Sequence, residues 1–258
     1  MNLTPTPDPD EDPPVPGLRH LILTYERIEE NLALDEALLV AAEERDGGPV
    51  LRVWEPAALA VVLGASGRLH DDVDVPLCRA DGVAIARRSS GGGTVVVGPG
   101  TLNVAVVLAA DFAPGLNAVD TAQAYVLERV ARSIRRLGPP VEVRGLGDLT
   151  LGGRKFAGSA QRRLRKFFLV HVSILYDFPV APIARYTRLP LRQPAYRAGR
   201  PHETFLTSLD RPRAHLLSAL LRAWPADPSA LAPLPIPDDL VHRLVREKYG
   251  DPAWVERL

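Results

Sequence analysis

The chain has 258 residues, of which 46% are hydrophobic and 24% are charged. This length allows one large domain, or one domain with a small extension. Lysine and arginine together number 31, as do aspartate and glutamate, so the formal net charge is zero and we expect neither nucleic acid nor a membrane as a partner. The single cysteine, Cys78, excludes an internal disulfide and suits a reducing compartment, so we expect the cytoplasm.

Residues 1–17 are rich in proline and acidic residues. Such a composition cannot bury enough apolar surface to fold, so it predicts a disordered tail. A signal peptide would begin with basic and then apolar residues, which this segment does not. No stretch of the chain approaches the roughly 18 apolar residues that a membrane-spanning helix needs, so neither secretion nor a membrane span is expected.

The first ordered elements are predicted from hydrophobic spacing. The stretch ERIEENLALDEALLVAAEERDGG carries apolar residues at helical spacing and ends in two glycines, which predicts an amphipathic helix. PVLRVWE and LAVVLG are apolar and rich in β-branched residues, which predicts two short strands. The stretch VAIARRSSGGGTVVVGPGTLNVAVVLA then predicts a strand, a glycine loop, a second strand, a Gly-Pro-Gly turn and a third strand.

The second half of the chain predicts another helix and more sheet. Asp120 and Gln123 resemble a capping box at the start of a helix, and DLTLGG, RKFAGSAQRR and FFLVHVSILYDF predict strands. An irregular segment rich in proline and arginine begins at Pro179, and two helices are predicted over residues 211–223 and 238–247. Since helices and strands mix without strict βαβ alternation, the fold class is α+β, with a largely antiparallel or mixed sheet flanked by helices.

Several familiar kinds of active site are excluded. The glycine run is followed by a strand-like segment and no glycine stretch ends in Gly-Lys-Ser/Thr, so neither a dinucleotide fingerprint nor a P-loop is present. There is no Gly-x-Ser-x-Gly elbow. The histidines never occur in a His-Glu-x-x-His spacing, so a hydrolytic metal site has no support.

The glycine loop, residues 88–96, is the first candidate site. Three consecutive glycines allow positive φ angles and a close approach of bare backbone N–H groups to phosphate or carboxylate oxygens. Arg88 could add a charge-assisted hydrogen bond to the same anion. A glycine-rich hairpin with solvated arginines explains the same pattern equally well.

The second candidate segment runs from Asp148 to Gln161. Strand alternation places Lys155 opposite Phe156, with the small Gly158 leaving room for a ligand beside it. A surface lysine on a solvated strand is the commoner explanation, and Asp148 is equally typical of a turn. On the following strand, alternation places His171 on one face with Leu169 and Ser173, where a structural histidine is the commoner case.

Taken together, RRSSGGGTVV, GGRKFAGSAQRR and FLVHVSILYDF resemble the lipoate-protein ligase family, within the group that also contains biotin protein ligases and lipoyl or octanoyl transferases. NLALDEALL resembles the first helix of that family. The resemblance covers about residues 19–210 and implies a catalytic domain of the class II synthetase-like type. We therefore expect a tail over 1–17, a ligase-like domain over 18–210 and a helical extension over 211–258 packed on that domain.

The resemblance implies a two-step reaction. Lipoate or octanoate would react with ATP to give acyl-AMP and pyrophosphate, and a lysine of a carrier domain would then take the acyl group. ATP and Mg²⁺ would enter as a substrate complex, with no tightly bound cofactor. The expected partners are lipoyl domains of 2-oxoacid dehydrogenase complexes or the glycine-cleavage carrier protein, and we expect a monomer.

The resemblance also implies roles for residues that match the family motifs. Lys155 is the expected catalytic residue, reaching the carbonyl or α-phosphate oxygens, and His171 is a candidate for the substrate pocket. No metal ligand is assigned. The residues expected to bind the acyl-adenylate or ATP are Arg88, Ser90, Gly91, Gly92, Gly93, Thr94, Val95, Val96, Asp148 and Gly158.

Two departures keep alternatives open. Val97 stands where many family members carry a histidine, and Gly98-Pro99-Gly100 resembles the octanoyltransferase branch. Those transferases use a cysteine downstream of the lysine, whereas Cys78 lies upstream of the glycine loop, which disfavours transfer through a thioester. The alternatives are an octanoyl or lipoyl transferase between carrier proteins, and a protein that binds a lipoyl domain or acyl-adenylate without turnover.

Overall fold

The computed structural model describes residues 13–45, 47–230 and 234–258. Strands and helices are interspersed along the chain without regular alternation. The strands of the described residues are β1 (Arg19–Ile22), β2 (Val50–Trp54), β3 (Ala60–Leu63), β4 (Ala84–Arg87), β5 (Val95–Val97), β6 (Thr101–Ala109), β7 (Glu142–Arg144), β8 (Asp148–Leu151), β9 (Arg154–Arg163) and β10 (Phe167–Leu175). The α-helices within the same ranges are α1 (Ile28–Arg45), α2 (Leu69–Asp72), α3 (Val75–Ala80), α4 (Val119–Arg135), α5 (Ala181–Tyr186), α6 (His202–Phe205), α7 (Arg213–Ala223), α8 (Asp238–Leu244) and α9 (Pro252–Glu256).

A seven-stranded sheet forms the centre of the molecule, in the order β1-β2-β6-β10-β9-β8-β7. β1 and β2 are parallel, and the other neighbours are antiparallel. The central strand β6 is buried along almost its whole length because both faces of the sheet are covered. A mixed, largely antiparallel sheet flanked by helices confirms the expected α+β class.

Helices cover both faces of this sheet. On one face, α4 and α7 enclose a hydrophobic core that contains Val104, Phe168 and Trp224. On the opposite face, α1 and α8 enclose a second core with Trp54 and Leu169. The alternation of side chains along each strand supplies both cores at once, since successive residues point to opposite faces.

A smaller three-stranded sheet, β4-β3-β5, carries the glycine loop. β3 is parallel to β4 and antiparallel to β5, so the loop joining β4 to β5 crosses over the end of β3. A third apolar cluster, which includes Val61, Cys78 and Phe178, anchors this sheet against α3 and α5. The loop therefore projects from a rigid support towards β9 and β10.

Several sequence predictions differ from the structure. The predicted disordered tail lies mostly outside the described residues, but Val15 is buried in the first core because the chain folds back over α4 there. The helix expected at Asp120 begins at Val119 after Ala118, and Gln123 forms no capping box because its amide donates to Ser159 on β9. The segment after Pro179 contains the short helices α5 and α6, whose buried residues are held by tertiary packing.

None of the helices in the described ranges is long and apolar enough to cross a membrane.

Candidate functional site

A groove of about 550 Å³ lies between the glycine loop and strand β9. Its floor contains Lys155, Gly158 and Ser159, and its far wall is formed by residues 187–206. A smaller inner cavity of about 100 Å³ opens from the same floor and runs under the loop towards β2, β6 and β10. The two spaces share Lys155 and Gly158, so a ligand lying in both would pass beside these residues.

The glycine loop keeps its shape through close backbone contacts that a side chain would block. Gly92 adopts a φ of +85°, a left-handed conformation that favours glycine. A Cβ atom at Gly64, at the end of β3, would lie 2.0 Å from the carbonyl oxygen of Gly92. The Thr94 hydroxyl donates to Asp72 on α2, which fixes the far end of the loop.

Arg88 lies inside the loop. Its guanidinium donates to the carbonyl oxygens of Gly91 and Gly93 at 2.5 and 2.8 Å, and to the Ser90 hydroxyl at 3.0 Å. Within the described ranges no carboxylate forms an ion pair with Arg88, and burial lowers its pKa to about 10. A buried, uncompensated cation is costly, so an anion beside it in the cavity would be favoured.

Lys155 lies directly over the backbone of Gly158. A Cβ atom at Gly158 would be 2.9 Å from the Lys155 Nζ and 3.0 Å from its Cε. The Nζ forms an ion pair with the Asp148 carboxylate at 2.6 Å, and the two side chains are only partly accessible to solvent. The register shift between Leu149 and Thr150 on β8 accompanies this arrangement, since it sets Asp148 opposite Gly158.

Asp148 is itself held from the other side. The Tyr196 hydroxyl donates to the second carboxylate oxygen of Asp148 at 2.7 Å. Burial, followed by this hydrogen bond to a carboxylate, raises the pKa of Tyr196, so the phenol remains a donor at neutral pH. The Asp148 carboxylate therefore has a partner on each oxygen and orients Lys155 towards the groove.

The inner cavity contains His171. Its register places it between Ala105 and Ala160, on the same sheet face as Ser173, as alternation predicted. The His171 Nδ1 lies 3.2 Å from the buried carboxylate of Asp35 on α1, while its Nε2 is buried and has no hydrogen-bond partner among the described residues. Asp35 thus orients a histidine in the wall of the cavity.

The remainder of the cavity wall is largely apolar. Leu32, Val62, Val95 and Val97 line it, with Trp54 closing one end of the row. Val97 is 2% exposed, so it contributes an apolar surface. A mainly apolar cavity joined to a polar groove suits an amphipathic ligand, with an apolar tail inside and its reacting end beside Lys155.

The structure brings most of the predicted site residues together. Arg88, His171 and the floor residues line the inner cavity or the groove. Gly91, Gly92, Gly93, Thr94, Val95, Val96, Asp148, Lys155 and Gly158 all line the groove. Ser90 is buried beneath the loop, where its carbonyl oxygen accepts from Ala65, and it is the predicted member that faces neither space.

Sequence reasoning missed several residues of the site. Trp54 and Asn103 face the cavity from neighbouring strands, Asp35 stands behind His171, and Tyr196 holds Asp148. Asp35 lies within the NLALDEALL stretch, where a carboxylate in an otherwise apolar helix stretch was an available signal. Tyr196 lies in the irregular segment, where no periodic pattern marks it.

Among the described residues, no group of three or more histidine, cysteine or carboxylate side chains could hold a metal ion. The carboxylates of the groove, Asp72 and Asp148, already have hydrogen-bond or ion-pair partners. These residues do not fit a resident metal site. A divalent cation in this groove would have to be held largely by the oxygens of a bound substrate and by water.

The residues 27–212 match the family described as the lipoyl protein ligase A/B catalytic domain. Since this match covers most of the chain, the protein belongs to that family. This enzyme family contains both lipoate ligases and octanoyltransferases.

Curated relatives of both activities are similar to the chain. The octanoyltransferase LipM of Symbiobacterium thermophilum is 31% identical over 193 residues, covering 65% of this chain and 68% of the relative. A protein of Aeropyrum pernix named as a candidate lipoate-protein ligase A is 32% identical over 155 residues, covering 60% of this chain and 56% of that protein. For this relative and a similar one of Mycoplasma pneumoniae, the match spans about half of the relative's own length.

Solved structures share the fold. A bi-partite lipoate protein ligase of Thermoplasma acidophilum, studied with its E2 lipoyl domain, has a TM-score of 0.76 at 22% identity and covers 92% of this chain and 95% of its own. A lipoate-protein ligase A bound with ATP has a TM-score of 0.75 at 22% identity, and the match covers 93% of this chain and 99% of that ligase. At this identity the likeness establishes the fold alone.

Proposed function

We propose that this protein is a lipoate-protein ligase that uses ATP to activate lipoate or octanoate and then acylates a lysine of a carrier domain. The observation that carries this proposal is the meeting of two spaces at Lys155. The inner cavity suits an acyl chain, and the groove has room for a nucleotide and an incoming lysine. Related proteins of known structure were studied with ATP or with an E2 lipoyl domain, which supports the same assignment.

In the first step, a carboxylate oxygen of the acid would attack the α-phosphorus of ATP. The new bond joins the carboxyl oxygen to phosphorus, and the bond to pyrophosphate breaks. Both reactants are anions, so the site must offset their repulsion as charge shifts to the leaving pyrophosphate. Lys155 supplies a positive charge at the junction, and Arg88 stabilises the loop whose backbone faces the same space.

In the second step, the carrier lysine would attack the acyl carbonyl carbon and AMP would leave with the bonding electrons. The lysine must be neutral to attack, and the proton released from its nitrogen as the amide forms passes to water or to a phosphate oxygen of the leaving AMP. The Nζ of Lys155, held by Asp148, stabilises negative charge on the carbonyl or phosphate oxygens. Magnesium would enter with the nucleotide and be held largely by phosphate oxygens and water.

The partners under this proposal are carrier domains with an acceptor lysine. A structural neighbour was studied with its E2 lipoyl domain, and a relative of Geobacillus kaustophilus, 30% identical over 147 residues, is named octanoyl-[GcvH]:protein N-octanoyltransferase. We therefore propose lipoyl domains of 2-oxoacid dehydrogenase complexes and the glycine-cleavage carrier as acceptors. Both would present a lysine at the mouth of the groove.

The first test is the intact mass of an apo lipoyl domain incubated with this protein, ATP, Mg²⁺ and either lipoate or octanoate. We expect a mass gain that requires ATP, and the gain identifies the acyl group. Lys155→Ala should slow product formation by about 100-fold or more, because a preorganised charge at the reacting centre is lost. Lys166→Ala is the matched control, since Lys166 is exposed at the β9–β10 turn away from the groove, and it should retain activity.

A second candidate function is acyl transfer between carrier proteins without ATP, which the similarity to LipM octanoyltransferases favours. The environment of Cys78 argues against a thioester intermediate on this residue. Its side chain is 0% exposed in the third apolar cluster, and burial raises the pKa of its thiol. Acylation from octanoyl carrier protein, with no product from free acid and ATP, would replace the ligase proposal by the transferase.

A further inference from the structure

Exposed apolar side chains gather at the mouth of the groove. Large hydrophobic side chains in the described ranges are exposed at six positions, and four of these are Val119, Leu146, Leu189 and Leu191. Val119 and Leu146 line one side of the groove, and the other two alternate with groove-lining residues of the segment 187–194. Such clustering, as opposed to scattered single residues, is typical of an interaction surface.

This rim is also positively charged. Arg188 and Arg192 are exposed and line the groove on either side of Pro190. Neither forms an ion pair with another of the described residues, whereas many other surface arginines do. The carboxylates of the groove, Asp72 and Asp148, are bonded to Thr94 and Lys155 respectively. The Thr94 hydroxyl does not neutralise Asp72, but these two arginines outnumber this carboxylate, so the rim carries a net positive charge that complements an acidic partner.

The rim is formed by parts of the chain that are fixed to the catalytic floor. Leu146 lies in the turn between β7 and β8, next to Asp148, and the segment with Arg192 leads into Tyr196, which holds the same carboxylate. A Cβ atom at Gly145 would lie 3.9 Å from Pro194 and from Tyr196, so the two sides of the rim are close neighbours. A partner seated on this rim would have a fixed position relative to Lys155.

We propose that this surface, the rim formed by Val119, Leu146 and residues 188–192, docks the acidic face of the carrier domain that surrounds the acceptor lysine. The inference rests on the proposed function, because any protein whose lysine reaches Lys155 must cover the mouth of the groove. Leu146 and Leu191 are 76% and 84% exposed, so they project outwards to where a folded partner would lie. Apolar side chains with arginine between them form a surface typical of protein interfaces.

The direct test is the affinity for an apo E2 lipoyl domain and an apo glycine-cleavage carrier protein, measured by isothermal titration calorimetry. The double variant Arg188→Glu, Arg192→Glu should weaken binding by about tenfold or more and reduce its dependence on salt. The matched control is Arg222→Glu, Arg243→Glu, which reverses two exposed arginines on α7 and α8. The control should stay within about twofold of the unmodified protein.

The apolar part of the rim is tested separately. Leu146→Ser and Leu191→Ser should each weaken carrier binding by about threefold or more, since both leucines lose the apolar area they would bury on docking. Because both side chains are largely exposed in the free protein, their melting temperatures should match that of the unmodified chain. Unchanged carrier affinity in all rim variants would overturn the docking surface.

A second measurement separates this inference from the proposed function. Acid-dependent exchange of pyrophosphate into ATP reports activation alone, whereas acylation reports activation and docking together. We expect Leu191→Ser, whose side chain lies outside the groove lining, to retain exchange and to raise the KM for the carrier. Loss of exchange in the arginine variant would assign the rim to nucleotide binding and overturn docking, while carrier binding without any exchange by the unmodified protein would overturn the ligase and leave the docking surface supported.

Discussion

At the scale of single residues, the site depends on two positions where a side chain is missing. Gly64 allows the glycine loop to approach the end of β3, and Gly158 leaves the space that Lys155 occupies. The two glycines differ in what a methyl group would meet. At Gly64 it would meet backbone, which cannot yield locally, while at Gly158 it would meet the flexible end of the Lys155 side chain.

Gly158→Ala should therefore lower activity more than stability. The new Cβ would lie 2.9 Å from Nζ and displace it from the junction of groove and cavity, so we expect acyl-adenylate formation to fall by about tenfold or more. The free energy of unfolding should change by less than about 1 kcal/mol, because alanine is tolerated in a strand. Pyrophosphate exchange measures acyl-adenylate formation, and urea denaturation measures the free energy of unfolding. Equal exchange rates in Gly158→Ala and the unmodified protein would contradict the assigned position of Lys155.

At the scale of elements, a buried ion pair fastens α1 to the central sheet. The Asp35 carboxylate lies 2.5 Å from the Arg52 guanidinium on β2, and both side chains are almost fully buried. Burial tends to raise the pKa of Asp35, but the adjacent Arg52 and His171 outweigh it and the pKa lies below its usual value. Asp35 also orients His171 in the inner cavity. This carboxylate therefore stabilises the packing of α1 and positions a side chain of the site.

Asp35→Asn should destabilise the fold by about 3–5 kcal/mol, because it leaves Arg52 charged and buried without a counterion. Asp81→Asn is the control, since Asp81 pairs with Arg185 at the surface and its loss should matter much less. Urea denaturation at neutral pH measures both variants. Equally small losses of stability in Asp35→Asn and Asp81→Asn would mean that the Asp35–Arg52 pair does not hold α1 on the sheet.

The pH dependence has a definite sign. A carboxyl with a lowered folded pKa contributes stability that is complete above its unfolded pKa and is lost as the pH falls through its folded pKa. Between about pH 5 and pH 2, the unmodified protein should therefore lose more stability than Asp35→Asn, which has no carboxyl to titrate there. Parallel losses in the two proteins would show that folding does not lower the pKa of Asp35.

At the scale of the whole molecule, the C-terminal helices complete the two main cores. α7 packs on α4, with Trp224 fully buried beneath the Arg129 guanidinium at 4.0 Å, and α8 packs on α1. Beyond α8, the Val255 carbonyl oxygen accepts from Arg87 next to the glycine loop. Residues after 212 lie outside the family match, yet they hold both cores and the base of the loop.

We therefore expect the described chain to unfold as one cooperative unit, with coincident midpoints by tryptophan fluorescence and circular dichroism. Trp224→Ala should lower the free energy of unfolding by about 3–5 kcal/mol without splitting the transition. Trp254→Ala, at a half-buried position, should cost less. A separate early transition in Trp224→Ala would show that residues 213–258 form an independent unit.

Local patterns were sufficient for much of the fold. Helical spacing predicted α1 and α7, and β-branched runs predicted β2, β6 and β10, since these patterns follow from the geometry of each element alone. Alternation also placed His171 on a face with Ser173. The short helices α2 and α3 escaped prediction because they are too brief to show a period, and contacts with α5 hold α3 in place.

The sequence by itself predicted which residues carry the chemistry: the glycine loop, Arg88, Lys155 and Gly158 stand in motifs that resemble those of the lipoate-protein ligase family. Only the tertiary structure decided what each side chain contacts. Arg88 turns inward to the loop carbonyls, Lys155 meets Asp148, and the rim joins Val119 and Leu146 to residues 188–192. The spacing of residues along the sequence reflects the geometry of a single helix or strand. These contacts instead join residues that are far apart in the chain, and which of them form depends on burial and charge in the folded protein.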